Sequence, residues 1–188
     1  MRKLATIRKI SELLPIEGAD LIVTAVIDGW TVVVKKNEFD VGELCVYFEI
    51  DSFLPDGNPA WQHLVEKHPR MFEGNRGHRL KTVRLRGQLS QGFAAPLSVL
   101  GPPENIFTIG EGCIGADVSD DLNIKKFELP IPAELAGQVG GNFPGFIPKT
   151  DQERCQNISA DIFVTNAGSL YEVTMKMDGT SFTGFAMD

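Results

Sequence analysis

The chain has 188 residues, 43% of them hydrophobic and 23% charged, which suits a soluble globular protein with material for one large or two small cores. A formal net charge of −7 excludes a protein that coats nucleic acid non-specifically, so any nucleic-acid contact has to come from a local basic patch. The 3 cysteines, Cys45, Cys113 and Cys155, are odd in number and lack Cys-x-x-Cys spacing, which excludes a disulfide framework and a zinc site.

His63, His68 and His78 make no metal constellation, so no metal-ligand set is read. The segment Met1–Lys9 is charged throughout and lacks the apolar core of a signal peptide. No apolar run approaches the ~18 residues of a membrane-spanning helix. The expected location is the cytoplasm, or the nucleus where the source has one, with no membrane partner.

In chain order, Leu4–Leu14 is an extended run stopped by Pro15, and Glu17-Gly18-Ala19-Asp20 makes a turn. Leu21–Ile27 is a short strand that Asp28-Gly29 joins to Trp30–Lys35 as a tight hairpin. After a turn at Asn37–Gly42 comes the apolar strand Leu44–Ile50. Short strands with turn signals at regular intervals predict a small barrel or sandwich. Residues 53–76 read as an excursion from it, with one short helix over Pro59–His68. Trp61 there is either a base-stacking platform or, beside Leu64, a core residue.

His78–Gly87 is the basic stretch, holding Arg79, Lys81, Arg84 and Arg86 and preceded by Lys67, Arg70 and Arg76. Its reading is contact with RNA phosphates, against the alternative of a solvated strand face making ion pairs. Parity puts Arg79 and Lys81 on one face but Arg84 and Arg86 on the other, so a bulge near Thr82 or a change of direction is expected. Gln88–Phe93 leads into the last barrel strand. Residues 100–118 connect, Asp117–Leu122 is a helical turn, and a domain boundary falls near here. The glycines of Ala133–Pro148 do not fit a P-loop. Thr150 and Glu153 can cap a helix start.

Tyr171–Asp178 alternates apolar and polar residues without a break, the pattern of a half-buried strand. Lys176 and Asp178 then rise side by side, roughly 7 Å apart, and Gly179 permits a tight turn or a close approach by a ligand. A lysine attacks phosphorus only as the free amine, so its pKa must fall from about 10.4 toward neutrality. Asp178 makes sense where it orients that amine or faces a metal with phosphates. The tetrapeptide by itself also describes a surface hairpin.

Lys176-Met177-Asp178-Gly179-Thr180-Ser181 resembles motif I of the covalent nucleotidyltransferases, the superfamily of ATP-dependent ligases and capping enzymes. Phe143-Pro144-Gly145-Phe146-Ile147-Pro148-Lys149-Thr150-Asp151, followed by Glu153, Arg154, Gln156 and Asn157, is similar to one branch, the ATP-dependent RNA ligases that carry an OB module ahead of the catalytic domain. Pro15-Ile16-Glu17-Gly18-Ala19-Asp20 and Val41-Gly42-Glu43 resemble such modules. The resemblance covers nearly the whole chain. It implies a mainly β fold with an α+β tail: an N-terminal OB-fold β-barrel over residues 1–118 that binds RNA, then the first part of an α+β nucleotidyltransferase (adenylyltransferase) domain over residues 119–188.

The resemblance also implies a reaction. Lys176 attacks ATP to form a lysyl–AMP intermediate with Mg²⁺ or Mn²⁺ on the phosphates. RNA with 3′-hydroxyl and 5′-phosphate ends is then sealed. Asp178, Gly179 and Ser181 surround the nucleotide, Arg154 holds its phosphates, and Lys149 is a second phosphate contact. Arg79, Lys81, Arg84 and Arg86 dock the RNA. Met175 departs from relatives that carry glutamate there against adenine. The chain ends at Asp188, a few residues past motif I, so it reads as an incomplete piece of the ligase. The rival is a non-catalytic OB-fold RNA-binding module with a vestigial tail; the capping and DNA-ligase branches share motif I.

Overall fold

The structure is a computed structural model that describes residues 2–102, 109–129, 134 and 161–175. Contacts divide the chain into two compact units, residues 1–152 and 153–188. The strands of the first are β1 (Ala5–Lys9), β2 (Glu12–Pro15), β3 (Ile22–Ile27), β4 (Trp30–Lys35), β5 (Leu44–Phe48) and β6 (Ser52–Pro55). Helix α1 (Gln62–Lys67) follows, then β7 (Arg70–Phe72), β8 (Asn75–Arg79), β9 (Val83–Leu85), β10 (Gln88–Ser90), β11 (Phe93–Pro96) and β12 (Lys125–Lys126). All pair antiparallel, in four sheets ordered β2-β3-β4, β1-β5-β11, β12-β6-β8-β7 and β9-β10.

Two stretches change partners midway and bend the sheets toward one another. The first is Ala5–Pro15. Its first half pairs with β5; at wholly buried Ile10 it turns, and Ser11 N donates to Val26 O (2.9 Å) to begin pairing with β3. The second is Gln88–Pro96. Gln91 N donates to Thr31 O (2.8 Å), Val33 N donates to Ser90 Oγ (3.0 Å), and then β11 joins β5. The open edge of β4 is thus satisfied by single bonds instead of a ladder, and no ring of ladders closes among the described residues. Gly92 makes the corner at φ 110°, and a Cβ there would lie 2.4 Å from Phe48 O. Only glycine fits. The expected Asp28-Gly29 hairpin is present, with φ 47° and 81°, the left-handed pair of a type I′ turn.

Strand β5 is buried on both faces. Val46 and Phe48 face one core with Leu4, Ile7, Leu54, Trp61 and Val65. Cys45 and Tyr47 face a second with Ile10, Ile27, Trp30, Val32 and Phe39. Trp61 is a core residue: it is 1% exposed, its Nε1–H donates to Pro55 O (2.7 Å), and its ring meets Phe48 edge-on at 5.4 Å. The helix is shorter than expected because Pro59 and the Asn58–Ala60 turn precede it.

Residues beyond the connection also pack on this unit. Ser119 Oγ accepts from Leu4 N (3.1 Å) and Ala5 N (2.9 Å), β12 pairs with β6, and Phe127 N donates to Asp51 O (2.7 Å). The turn over Asp117–Asn123 presents buried Val118 and Ile124 to the first core.

In the second unit the described residues form a short helix, Asp161–Thr165, closed by a turn in which Gly168 has φ 89°. Tyr171 Oη donates back to Asn166 O (3.1 Å). The alternation expected from Tyr171 onward is not a ladder over Tyr171–Met175, where Val173 is 94% and Met175 85% exposed. A strand is stable by virtue of its neighbours, and among the described residues none pairs with this one. No helix among the described residues is long and apolar enough to cross a membrane.

Replacing Phe48 by alanine removes a side chain shared by Trp61 and Phe93 and is expected to cost about 3–5 kcal/mol in urea unfolding. Leu21→Ala, at a residue 81% exposed, should stay within about 0.5 kcal/mol.

Candidate functional site

The sequence-predicted nucleophile Lys176 and the nucleotide contacts Asp178, Gly179, Ser181, Arg154 and Lys149 lie outside the described residues, as does the capped helix at Thr150. The basic stretch is described, and the structure divides it in two.

Arg79 closes β8 and points inward. Its Nε and Nη2 both donate to Asp51 Oδ1, at 3.1 and 2.7 Å, and its guanidinium carbon lies 5.0 Å from the centre of the Phe127 ring. Asp51 is held at φ 69° for this contact, and Phe127 is nine-tenths buried. Arg79 therefore ties β8, the β5–β6 turn and the segment after β12 together. Its two partners are distant in sequence, so no local pattern predicts them.

The chain then breaks at Leu80–Thr82. Leu80 is buried, and its backbone N donates to Ser52 O (2.9 Å). This change of direction resolves the parity conflict. Beyond it, every residue from Lys81 to Gln88 is exposed, on a two-stranded ribbon of β9 and β10. Arg86 and Gly87 form its tip at φ 49° and 82°. Arg84 Nη1 donates to Gly87 O (3.0 Å), steadying that tip. Lys81, at the base, and Arg86 have no side-chain partner among the described residues. Val83 and Leu85 share the opposite face at 47% and 43% exposure. The ribbon's base is fixed to the sheet by Thr31 Oγ1, which donates to Leu89 O (3.1 Å). Three cations on an exposed, anchored hairpin suit a polyanionic partner: each stays hydrated until a phosphate displaces its counterions.

The remaining basic side chains are divided in the same way. Arg76 is paired to Asp56 (2.6 Å), whose carboxyl is held below its usual range first by the Gln62 amide and then by Arg76. Lys67 and Arg70 are exposed. His78 is half-buried behind them, and its Nδ1–H donates to His68 O (3.0 Å). Burial holds its imidazole below the ordinary 6.5, with His68, Arg70 and His63 adding repulsion. Burial also pushes the Cys45 thiol up to about 12, so it is not a nucleophile. Among the described residues no group of His, Cys, Asp and Glu could hold a metal ion.

A family model described as an OB-fold domain matches residues 4–97. Solved structures of Naegleria gruberi RNA ligase are similar to this chain across most of its length. An apo mutant is 47% identical over 89% of this chain and 47% of that one, with TM-score 0.72. A mutant with AMP and Mn is 46% identical over 89% of this chain and 47% of that one, with TM-score 0.73. A third, with ATP and Mn, is 46% identical over 89% and 48%, with TM-score 0.72. The chain thus spans about half the length of that ligase. Curated proteins give no match.

Arg79→Ala is expected to lower stability by about 1 kcal/mol, because an ion pair and a cation–π contact are lost together. Alanine at Lys81 or Arg86 should change it by less than about 0.5 kcal/mol in the same chemical unfolding. His78 adds a pH term. Its folded pKa is depressed, so its contribution is present above the unfolded value of 6.5 and lost as pH falls through the folded value. The melting temperature should drop as pH falls below the unfolded value of 6.5, and His78→Gln should flatten that drop.

Proposed function

The chain belongs to the OB-fold domain family, and from that premise we propose that it is the N-terminal part of an ATP-dependent RNA ligase. The observation that carries the reading is its 47% identity to an RNA ligase over 89% of its own length. The Lys176-Met177-Asp178-Gly179 motif supports it independently.

In this reading residues 1–118 are the RNA-holding OB module and residues 119–188 begin the nucleotidyltransferase domain, whose first strand, β12, is laid against the OB unit. The free amine of Lys176 attacks the α-phosphorus of ATP. A P–N bond forms, the bond to the β-phosphate oxygen breaks, pyrophosphate leaves, and the amine gives up its proton. Arg154 and Lys149 stabilise charge on the departing phosphates. Asp178 orients the amine, Gly179 admits the nucleotide, and Ser181 reaches its ribose or phosphate. AMP then passes to an RNA 5′-phosphate, and a 3′-hydroxyl displaces it to seal the strand. Mg²⁺ or Mn²⁺ on the phosphates would neutralise charge and lower the pKa of Lys176.

The ribbon cations Lys81, Arg84 and Arg86 grip the RNA backbone, whereas Arg79 shapes the module that presents them. Free thiols at Cys45 and Cys113 fit a cytoplasmic protein.

Incubation with ATP labelled at the α-phosphate, with Mn²⁺, is expected to leave label on the wild-type chain and none on Lys176→Ala. RNA binding without label on either would favour the non-catalytic OB module, and absence of both would sink the ligase reading.

A further inference from the structure

The sheet β12-β6-β8-β7 carries a concavity of about 290 Å³ that the proposed reaction does not use. Its apolar lining comes from Phe53 and Phe72, whose ring centres are 5.3 Å apart. Phe127 packs behind both, 6.3 Å from Phe53 and 5.1 Å from Phe72, and is itself held by the Arg79 guanidinium. The Phe72 ring is therefore held in place yet only half-buried.

The polar lining decides what could enter. Arg76 is paired to Asp56 at 2.6 Å and Lys125 to Glu73 at 2.7 Å, so the charges cancel pair by pair. A neutral rim does not concentrate an isolated phosphate. Asn123 also lines the concavity, at φ 52°, and its carboxamide has no hydrogen-bond partner among the described residues. A carboxamide offers a donor and an acceptor side by side, the complement of a base edge. An aromatic platform and a free amide together suit a flat, uncharged heterocycle with a hydrogen-bonding edge. The volume lies near the lower end for small-molecule pockets, enough for one base.

We propose that this concavity takes a single unpaired nucleobase, stacked on Phe72 and read at its edge by Asn123, with its sugar and phosphate outside the neutral rim. The proposal rests on the RNA reading above for its preferred source, a nucleotide of an RNA strand. A free nucleoside monophosphate has the same chemistry.

The test uses a short single-stranded RNA carrying 2-aminopurine, a fully paired RNA duplex, and 2-aminopurine riboside monophosphate alone, with the full chain. Wild type is expected to quench the single strand's fluorescence. Phe72→Ala should weaken that binding about tenfold, the loss of one base–aromatic stack, and restore the fluorescence while leaving duplex binding unchanged. Asn123→Gly should weaken it less. Glycine accepts the left-handed backbone there, so this variant separates lost recognition from lost folding. Arg84→Ala should weaken both RNAs. Unchanged quenching in Phe72→Ala and Asn123→Gly, with weakened binding in Arg84→Ala, overturns the base site and leaves the RNA reading standing. Should wild type bind neither RNA, the RNA reading falls. Quenching of the monophosphate by wild type but not by the variants would then assign the site to a free nucleotide, and its absence would overturn the site as well.

Discussion

Strand β5 cannot slip. Its alternate residues feed different cores, Cys45 and Tyr47 into one and Val46 and Phe48 into the other, while β1 and β11 flank it. A shift of one residue would exchange every side chain between the two cores. Tyr47 adds a polar constraint, because its hydroxyl donates to Gln91 O (2.7 Å) as its ring stacks on Trp30. A buried hydroxyl that lost its acceptor would be costly, so β5 fixes the Gln91–Gly92 corner as well as the packing. The OB sheet hangs on one side of this strand, and the excursion with Trp61 hangs on the other. The ribbon is anchored to β4 on the first side and the concavity lies in the sheet of the excursion on the other, so the register of a central strand positions both surfaces proposed to meet nucleotides.

How much of this could be read from the residues depends on the range of the interactions. The β3–β4 hairpin and β5 were legible because turn chemistry and apolar runs are local. The sheet β12-β6-β8-β7 was not: β7 and β12 have only 3 and 2 residues, and β8 (Asn-Arg-Gly-His-Arg) shows no alternation. Such strands exist because neighbours supply their hydrogen bonds. Gly77 illustrates this, since a Cβ there would lie 2.3 Å from Leu54 O across the β6–β8 pairing.

The basic stretch was legible as a group, and its parity conflict rightly located a break near Thr82. The inward turn of Arg79 was not legible, because Asp51 lies 28 residues away. Tyr171–Met175 shows the opposite failure, a clear alternation without a ladder among the described residues. Periodicity records which faces a segment could bury and says nothing of whether a partner is present. The Lys176-Met177-Asp178-Gly179 motif carries still less structural information, and the role proposed for it came from resemblance.

Left-handed backbone gives an independent view of the ribbon. Among the described residues other than glycine and asparagine, four have positive φ: Asp28, Asp51, Glu73 and Arg86. This conformation costs an ordinary side chain about 1–2 kcal/mol. Asp28, Asp51 and Glu73 offset it within the fold, each meeting a cation at 2.7 Å: Arg8, Arg79 and Lys125 respectively. Arg86 has no such partner among the described residues, although its turn would accept asparagine or glycine more readily. Stability therefore does not account for a cation at the tip. The proposed contact with RNA phosphates does, and the neighbouring Arg84, braced against Gly87 O, holds a second cation beside it. Strain that no partner among the described residues offsets is the physical argument for the role proposed for this hairpin.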